Sequence, residues 1–264
     1  MAFEELKSKQ SVMWGSGPYA RISDHHVDAL EHLLRAVPPS EGERWLDVAT
    51  GTGEVAVRAA QAGANATGLD LAPDLIEMAR ERAKDAGVEA AFDVGDAESL
   101  PYEDASFDTV SSTFGVMFAP DQATAAGELA RVCRPGGRLA LLTWHPTEGV
   151  AAFFKVMAPY QPKPPEGVGS PFAWGDHEHL EELFGESFEL RYEEGDVPLH
   201  GESGDEIWEL FSTAFGPTKA LANSLEDDRR EALRRDWVAY FEQFRDGGGV
   251  SQPRPYVLVL GERR

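Results

Sequence analysis

WLDVATGTGEVA, Trp45 to Ala56, opens on an apolar run, passes through two closely spaced glycines and ends in a helix-forming stretch. It reads as a buried strand feeding a glycine turn and then a helix, an arrangement in which backbone amides meet a phosphate or nucleoside ligand. The spacing Gly51, Gly53, Ala56 is the G-x-G-x-x-A form of that turn, and no G-K-[ST] follows, which excludes a Walker-type loop. Asp47 stands four residues before Gly51, near the end of the strand. There a carboxylate can accept the turn's amides or meet a cationic ligand group, and it opposes a pyrophosphate.

Outward from this stretch, Arg44–Ala49, Ala66–Asp70, Ala90–Gly95, Phe107–Ser112 and Arg138–Trp144 are short apolar or alternating runs bounded by Gly, Pro or Asp, and they predict strands. Helical patterns separate them. One runs from Glu54 to Ala62 and stops at Gly63. A second carries Leu75, Ile76, Ala79 and Ala83 on one face before Gly87, and a third starts near Asp121 and buries Leu129, Val132 and Cys133. Such alternation predicts an α/β, Rossmann-like fold: a seven-stranded, mostly parallel sheet with helices on both faces. Asp70 ends the second predicted strand, nineteen residues beyond Gly51, where its two oxygens can accept both ribose hydroxyls of a nucleoside. That acid disfavours a 2′-phosphate, leaving NAD or S-adenosylmethionine. The ammonium and sulfonium of the latter suit an acidic surround.

After Trp144 the rhythm breaks. Residues 146–175 mix a short aromatic-rich helix with a Pro/Gly-rich loop of a length typical of lids and binding loops, and residues 201–249 form a second, helical insertion. In the latter, Ile207, Leu210, Phe211 and Phe215 make one apolar face, and Leu233, Trp237, Tyr240, Phe241 and Phe244 another. The predicted organisation is N-terminal helices over the cofactor site (1–43), a cofactor-binding core (44–145), a first cap insertion (146–175), a core helix and strand (176–200), a helical cap insertion (201–249) and a terminal core strand (250–264). Phe188–Leu199 reads as one long strand and Tyr256–Leu260 as the last.

The 264 residues carry 46 Asp+Glu against 24 Lys+Arg, a formal net charge of −22. Such a chain repels nucleic acid and anionic lipid, so neither is an expected partner. The N-terminal stretch lacks the apolar core of a signal peptide, no run is long enough to span a bilayer, and the single cysteine, Cys133, fits a reducing compartment. A soluble, cytoplasmic enzyme acting on a small molecule is the expectation. The chain is silent on oligomeric state.

Four motifs in order, WLDVATGTG, GLDLA, GDAESLP with SFDTV, and RVCRPGGRLALLTW, make Trp45–Trp144 resemble the class I S-adenosylmethionine-dependent methyltransferases. WGSGPYARIS, STFGVMFAPD, SPFAWGD and FGPT extend the likeness to the bacterial branch grouped with ubiquinone/menaquinone-biosynthesis methyltransferases. The chain departs from the quinone enzymes in its two insertions, which would build the acceptor pocket. The resemblance implies S-adenosylmethionine as cofactor, bound by the segment that includes Ala49. It implies that Gly51 and Gly53 let the backbone approach the methionyl part, that Asp70 holds the ribose, and that Asp96 and Ala97 flank the adenine, with Leu71 on its face. Thr113 and Phe114 would lie beneath the methionyl chain, and Tyr19 would close over it or serve as a helix-packing aromatic.

Transfer of a methyl from sulfonium is an in-line displacement that needs alignment and exclusion of water but no protein nucleophile. A hydroxyl or carbon acid must also lose a proton, and His145, just after the fifth strand, is the candidate general base, with a structural role as its alternative. Trp174 either lines the substrate pocket or packs on the sheet edge. His25-His26 and the His177/Glu178/His179 cluster invite a metal reading, but residues two apart do not share a helix face, and no metal is expected. Asp176 reads as the cap of the helix carrying His177 and His179. Two other functions remain open: an NAD-dependent oxidoreductase, which would prefer glycine at Ala56 and need a hydride-transfer site, and a catalytically silent nucleoside-binding module.

Overall fold

A computed structural model describes residues 3–264; Met1 and Ala2 of the N-terminal segment lie outside the described residues. The expected strand, turn and helix form β1 (Arg44–Val48), whose Trp45, Leu46, Asp47 and Val48 are all buried, and α4 (Glu54–Gln61). Burial on both faces is what an unbroken apolar run implies for a central strand. Ahead of β1 lie α1 (Glu4–Gly15), α2 (Ala20–Ser23), a 3₁₀ turn (Asp24–His26) and α3 (Val27–Ala36).

The chain continues through β2 (Asn65–Asp70), α5 (Pro73–Asp85), β3 (Ala91–Val94), β4 (Phe107–Thr113), α6 (Gln122–Val132) and β5 (Cys133–Trp144). Then come α7 (Val150–Met157), α8 (His177–Phe184), β6 (Phe188–Asp196) and β7 (Leu199–Gly201), followed by α9 (Gly204–Ala214), α10 (Gly216–Ser224) and α11 (Asp227–Glu242). The last strands are β8 (Arg245–Asp246), β9 (Gly249–Gln252) and β10 (Pro255–Arg263).

The main sheet has seven strands in the order β3-β2-β1-β4-β5-β10-β6. The first five are parallel, and β10 lies antiparallel between β5 and β6, with Val257 opposite Thr143 and Val259 opposite Tyr192. Strand order reverses between β1 and β4, so right-handed crossovers set α4 and α5 on one face and α6 on the other. The crevice beyond the carboxyl ends of β1 and β4 is therefore the topological switch point, where open α/β sheets take their ligands.

Two expectations are corrected. Phe188–Leu199 is not one strand: β6 ends at Asp196, Pro198 lacks an amide for the ladder, and Leu199 starts β7 in a separate three-stranded sheet, β7-β9-β8, which the sequence reading did not anticipate. Cys133 does not end the third helix but begins β5. Burial pushes its thiol up to about 11, so it is held as the inert thiol.

The apolar faces of the second insertion meet the first. Phe153 of α7 lies 5.5 Å from Phe211 of α9 and 5.3 Å from Trp237 of α11, between ring centroids. Trp237, Phe241, Leu233 and Phe211 are buried, whereas Leu210, Tyr240 and Phe244 are half-buried. Each buried aromatic contributes about 1.5–3 kcal/mol, and this cluster packs α9 and α11 against α7. Among the described residues no helix is long and apolar enough to cross a membrane.

Candidate functional site

The crevice at the switch point is a solvent-open cleft of about 1020 Å³. From the β1 turn it takes Ala49 and Gly51; from the end of β2, Asp70 and Leu71; from the loop after β3, Asp96 and Ala97; from β4, Thr113 and Phe114; and from the N-terminal helices, Tyr19. Nine of the predicted cofactor residues, from five separate segments, thus line one cavity. The tenth and eleventh, Asp47 and Gly53, do not.

Asp70 is held from both sides: Oδ2 accepts the Gly51 amide at 2.9 Å and Oδ1 the Ala72 amide at 2.9 Å. Burial pushes its carboxyl up, opposed by these amides. Each oxygen keeps a lone pair for a ligand hydroxyl. The Gly51 amide, which a dinucleotide fold would turn to pyrophosphate, is therefore committed to a carboxylate. Gly51 sits at φ +56, and a Cβ there would meet only Tyr19 Cε1, at 3.9 Å, so the tyrosine ring forms the roof of the space that the missing side chain leaves. Burial, and next the Asp70 charge, push the Tyr19 phenol up, keeping it neutral.

Asp96 is also engaged. Its Oδ1 accepts the Glu98 amide at 2.9 Å and its Oδ2 the ammonium of Lys7 at 2.7 Å, while Lys7 also pairs with Glu98. Lys7 is buried and strapped across the cleft by α1, which is further tied down by Ser11 donating to Leu71 O and Gln10 donating to Phe118 O. Sequence reading placed N-terminal helices over the cofactor site but did not single out Lys7, because α1 shows almost no apolar face. The ammonium in the cleft is thus neutralised by two carboxylates.

Asp47 lies beneath the loop, accepting Thr50 Oγ1 at 2.6 Å and Ser111 Oγ at 2.7 Å, the latter hydroxyl also receiving Trp45 Nε1. It props the turn from the core side and touches no ligand space, because its side chain points into the sheet. Burial pushes its carboxyl up to about 6, against these hydrogen bonds. Between pH about 4 and 6 the folded chain therefore keeps a proton that the unfolded chain releases, and stability falls as pH rises through that window. Asp47→Asn lacks this penalty: its stability relative to wild type should improve by on the order of 2–3 kcal/mol between pH 4 and 6.5 in guanidinium unfolding. A pH-independent difference would show that Asp47 does not titrate there.

Gly53, the residue before α4, is at φ +78, with Ala79 Cβ 2.8 Å and Phe92 Cε1 2.9 Å from where a Cβ would stand. Its role is close packing of helix on strand, not approach to a ligand. Two further backbone outliers border the cleft: Ala49 at φ 54 and Phe114 at φ 57, both non-glycine residues in the left-handed region. Each costs about 1–2 kcal/mol, and both mark the carboxyl ends of the strands flanking the switch point. Gly115 lies against Ala49, leaving no room for a Cβ between the two turns.

His145 and Trp174 are not in the cleft. The His145 Nδ1 accepts the amides of Thr147 (3.4 Å) and Glu148 (3.3 Å), organising the turn after β5. Trp174 is fully buried, edge-on to Phe184 at 5.7 Å, with no hydrogen-bond partner for its indole nitrogen. The packing reading therefore replaces the pocket reading. Asp176 accepts the His179 amide as a helix cap, His179 bonds Gln122, and His177 stacks on Tyr192. No cluster of three potential ligands occurs among the described residues.

The residues missed by the sequence lie one layer further in. A second cavity of about 390 Å³ adjoins the cleft and shares with it Trp14, Tyr19, His26, Phe114 and Phe118. Phe153, Phe154, Phe211, Phe215, Trp144 and Arg254 are among the residues that line the rest. Phe114 stacks on Trp144 with centroids 3.7 Å apart and planes at 8°, forming the partition.

The chemistry of the cleft suits an adenosyl sulfonium. Its polar floor is made of carboxylates ready to accept hydroxyls and ammonium protons, its ammonium is already paired, and a pyrophosphate would face Asp70 without an unpaired cation among the described lining residues.

Comparison with known proteins agrees. Residues 46–141 match the family model described as a methyltransferase domain. An uncharacterised protein of Mycobacterium tuberculosis is 36% identical over 218 residues, covering 81% of this chain and 80% of that one. A demethylmenaquinone methyltransferase of Thermus thermophilus is 42% identical over 106 residues, 39% of this chain and 48% of its own length. In fold, the YcgJ protein of Bacillus subtilis superposes with a TM-score of 0.66 at 22% identity, over 90% of this chain and 99% of that one. Fold and cleft together define an α/β enzyme that binds a nucleoside cofactor at the sheet's switch point. The chain belongs to the class I S-adenosylmethionine-dependent methyltransferases.

Proposed function

We propose that the protein methylates a small, largely apolar molecule that occupies the aromatic cavity next to the cofactor cleft. The observation that carries this is the shared wall: Tyr19, His26 and Phe114 border both spaces, so a methyl donor in one lies against an acceptor in the other. Bound S-adenosylmethionine supplies a methyl on sulfonium, which passes in line to a nucleophile. The chain's own residues bind, orient and exclude water. Asp70 takes the ribose hydroxyls, Asp96 and Ala97 border the adenine with Leu71 on its face, and Ala49, Gly51 and Thr113 shape the methionyl end. Tyr19 and Phe114 close the transfer site from water.

No strong base faces the transfer site among the described lining residues. His26 is held neutral, its affinity for a proton lowered by burial and then by Arg254. Alignment and desolvation are therefore the protein's main contributions. The −22 charge supports a reading in which nucleic acid is not the acceptor, and the single cysteine supports a cytoplasmic enzyme.

A screen with methyl-labelled donor tests the reading. Label is expected in small aromatic or alicyclic compounds and absent from tRNA, DNA and protein fractions. Tight donor binding with no transfer to any small molecule would instead support the silent module.

A further inference from the structure

We infer that Arg254 makes the part of the aromatic cavity behind His26 and Trp144 an anion-binding subsite, so that the methyl acceptor is an acid: an apolar ring system carrying a carboxylate. This deepens the proposed function and rests on it for the word acceptor.

Arg254 stands immediately before β10, with 2% of its surface exposed, and it lines the second cavity but not the cofactor cleft. Every group its guanidinium bonds is neutral: Nε donates to Val197 O at 2.9 Å, Nη2 to His25 O at 2.8 Å, and Nη1 to His26 Nε2 at 3.3 Å. The adjoining carboxylate, Asp196, is turned to the Arg254 backbone amide instead, and no ion pair reaches the guanidinium among the described residues. A guanidinium carries five N–H donors, so one on each terminal nitrogen is left over.

A buried, unpaired cation is strongly unfavourable and is ordinarily matched by an anion. Burial pushes Arg254 down to about 10, and the Asp196 charge, which reaches it through space but not by a hydrogen bond to the guanidinium, opposes this only in part. Because the Nε2 of His26 accepts from arginine, its neutral ring carries its proton on Nδ1 and adds no second positive charge. The remaining walls, Phe154, Phe211, Phe215 and the Trp144 face that the guanidinium overlies at 5.8 Å, are apolar. A ligand complementary to such a space has an apolar body and one anionic end. The overall −22 charge makes this local cation the feature that admits an acid.

The test uses a matched pair, 2-naphthoate and 2-naphthamide, titrated calorimetrically into the full-length protein with and without saturating S-adenosylhomocysteine. Wild type is expected to bind the carboxylate at least about tenfold more tightly than the amide, the contribution of a charge-assisted pair. Arg254→Met should bring the two affinities to within about twofold, and Arg254→Lys should retain part of the preference. Thermal melts report whether each variant folds; should Arg254→Met fail to fold, the wild-type ratio and Arg254→Lys carry the test. Equal affinities in wild type, binding of neither compound, or a preference that survives in folded Arg254→Met would each overturn the proposal. Failure of S-adenosylhomocysteine itself to bind would instead overturn the methyl-donor reading, because the carboxylate preference is read independently without it.

Discussion

Replacing Asp70 with Ala is expected to weaken binding of S-adenosylhomocysteine by about 100-fold or more, read by calorimetric titration. Two carboxylate oxygens at the end of β2 each retain a lone pair toward the cleft after accepting one backbone amide, so the substitution removes up to two charge-assisted hydrogen bonds of about 1.5–3 kcal/mol each. It also frees the Gly51 amide and loosens the turn that shapes the methionyl end. Asp70→Asn keeps the side-chain outline and one acceptor oxygen, and should lie between wild type and Asp70→Ala. An affinity unchanged in both variants would remove Asp70 from the site.

The second large effect concerns stability. Gly53→Val should destabilise the fold by about 2–5 kcal/mol. A left-handed backbone angle costs a non-glycine residue about 1–2 kcal/mol, and overpacking a filled interior adds roughly 1–3. Both conditions are met, with φ at +78 and the sites of contact, Ala79 and Phe92, buried in the core. Gly51→Ala makes the informative contrast. It shares the left-handed angle but meets only Tyr19, at 3.9 Å, so it should lose only the backbone cost of about 1–2 kcal/mol while binding the donor poorly. If Gly53→Val melted like wild type, the close approach of the turn before α4 to α5 and β3 would not be the reason for that glycine.

The contrast between these glycines shows what was legible in the chain. G-x-G-x-x-A announced a tight turn between strand and helix, and local spacing sufficed for that, but not for which glycine faces ligand and which faces core. Asp47 illustrates the same limit. Four residues before Gly51 it shares the pleat of a strand buried on both faces, and only the neighbouring Ser111 on β4 reveals that its side chain is spent inside. Asp70 was legible from its place at the end of a strand, whereas Asp96, Ala97, Thr113 and Phe114 came from the family resemblance; all lie at or soon after the ends of parallel strands that the topology gathers at one crevice.

Arg254 and His26 were not legible, since they are 228 residues apart and meet only when β10 inserts between β5 and β6. The one local hint, an arginine flanked by Pro253 and Pro255 at a strand start, says nothing about its surroundings. His145 misled for the converse reason: its position just past β5 is right for a base, but the chain turns there and the imidazole caps its own loop. Trp174 followed from a tryptophan in a loop, and the fold put that loop against α8 and not against the cavity.

A crystal structure with S-adenosylhomocysteine tests the central claim most directly. The account predicts the ribose hydroxyls on Asp70, the adenine between Leu71 and the Asp96–Ala97 segment, and the sulfur beside Phe114, opening toward the cavity that Arg254 lines. An adenosyl group bound elsewhere, or a sulfur facing away from that cavity, would contradict it.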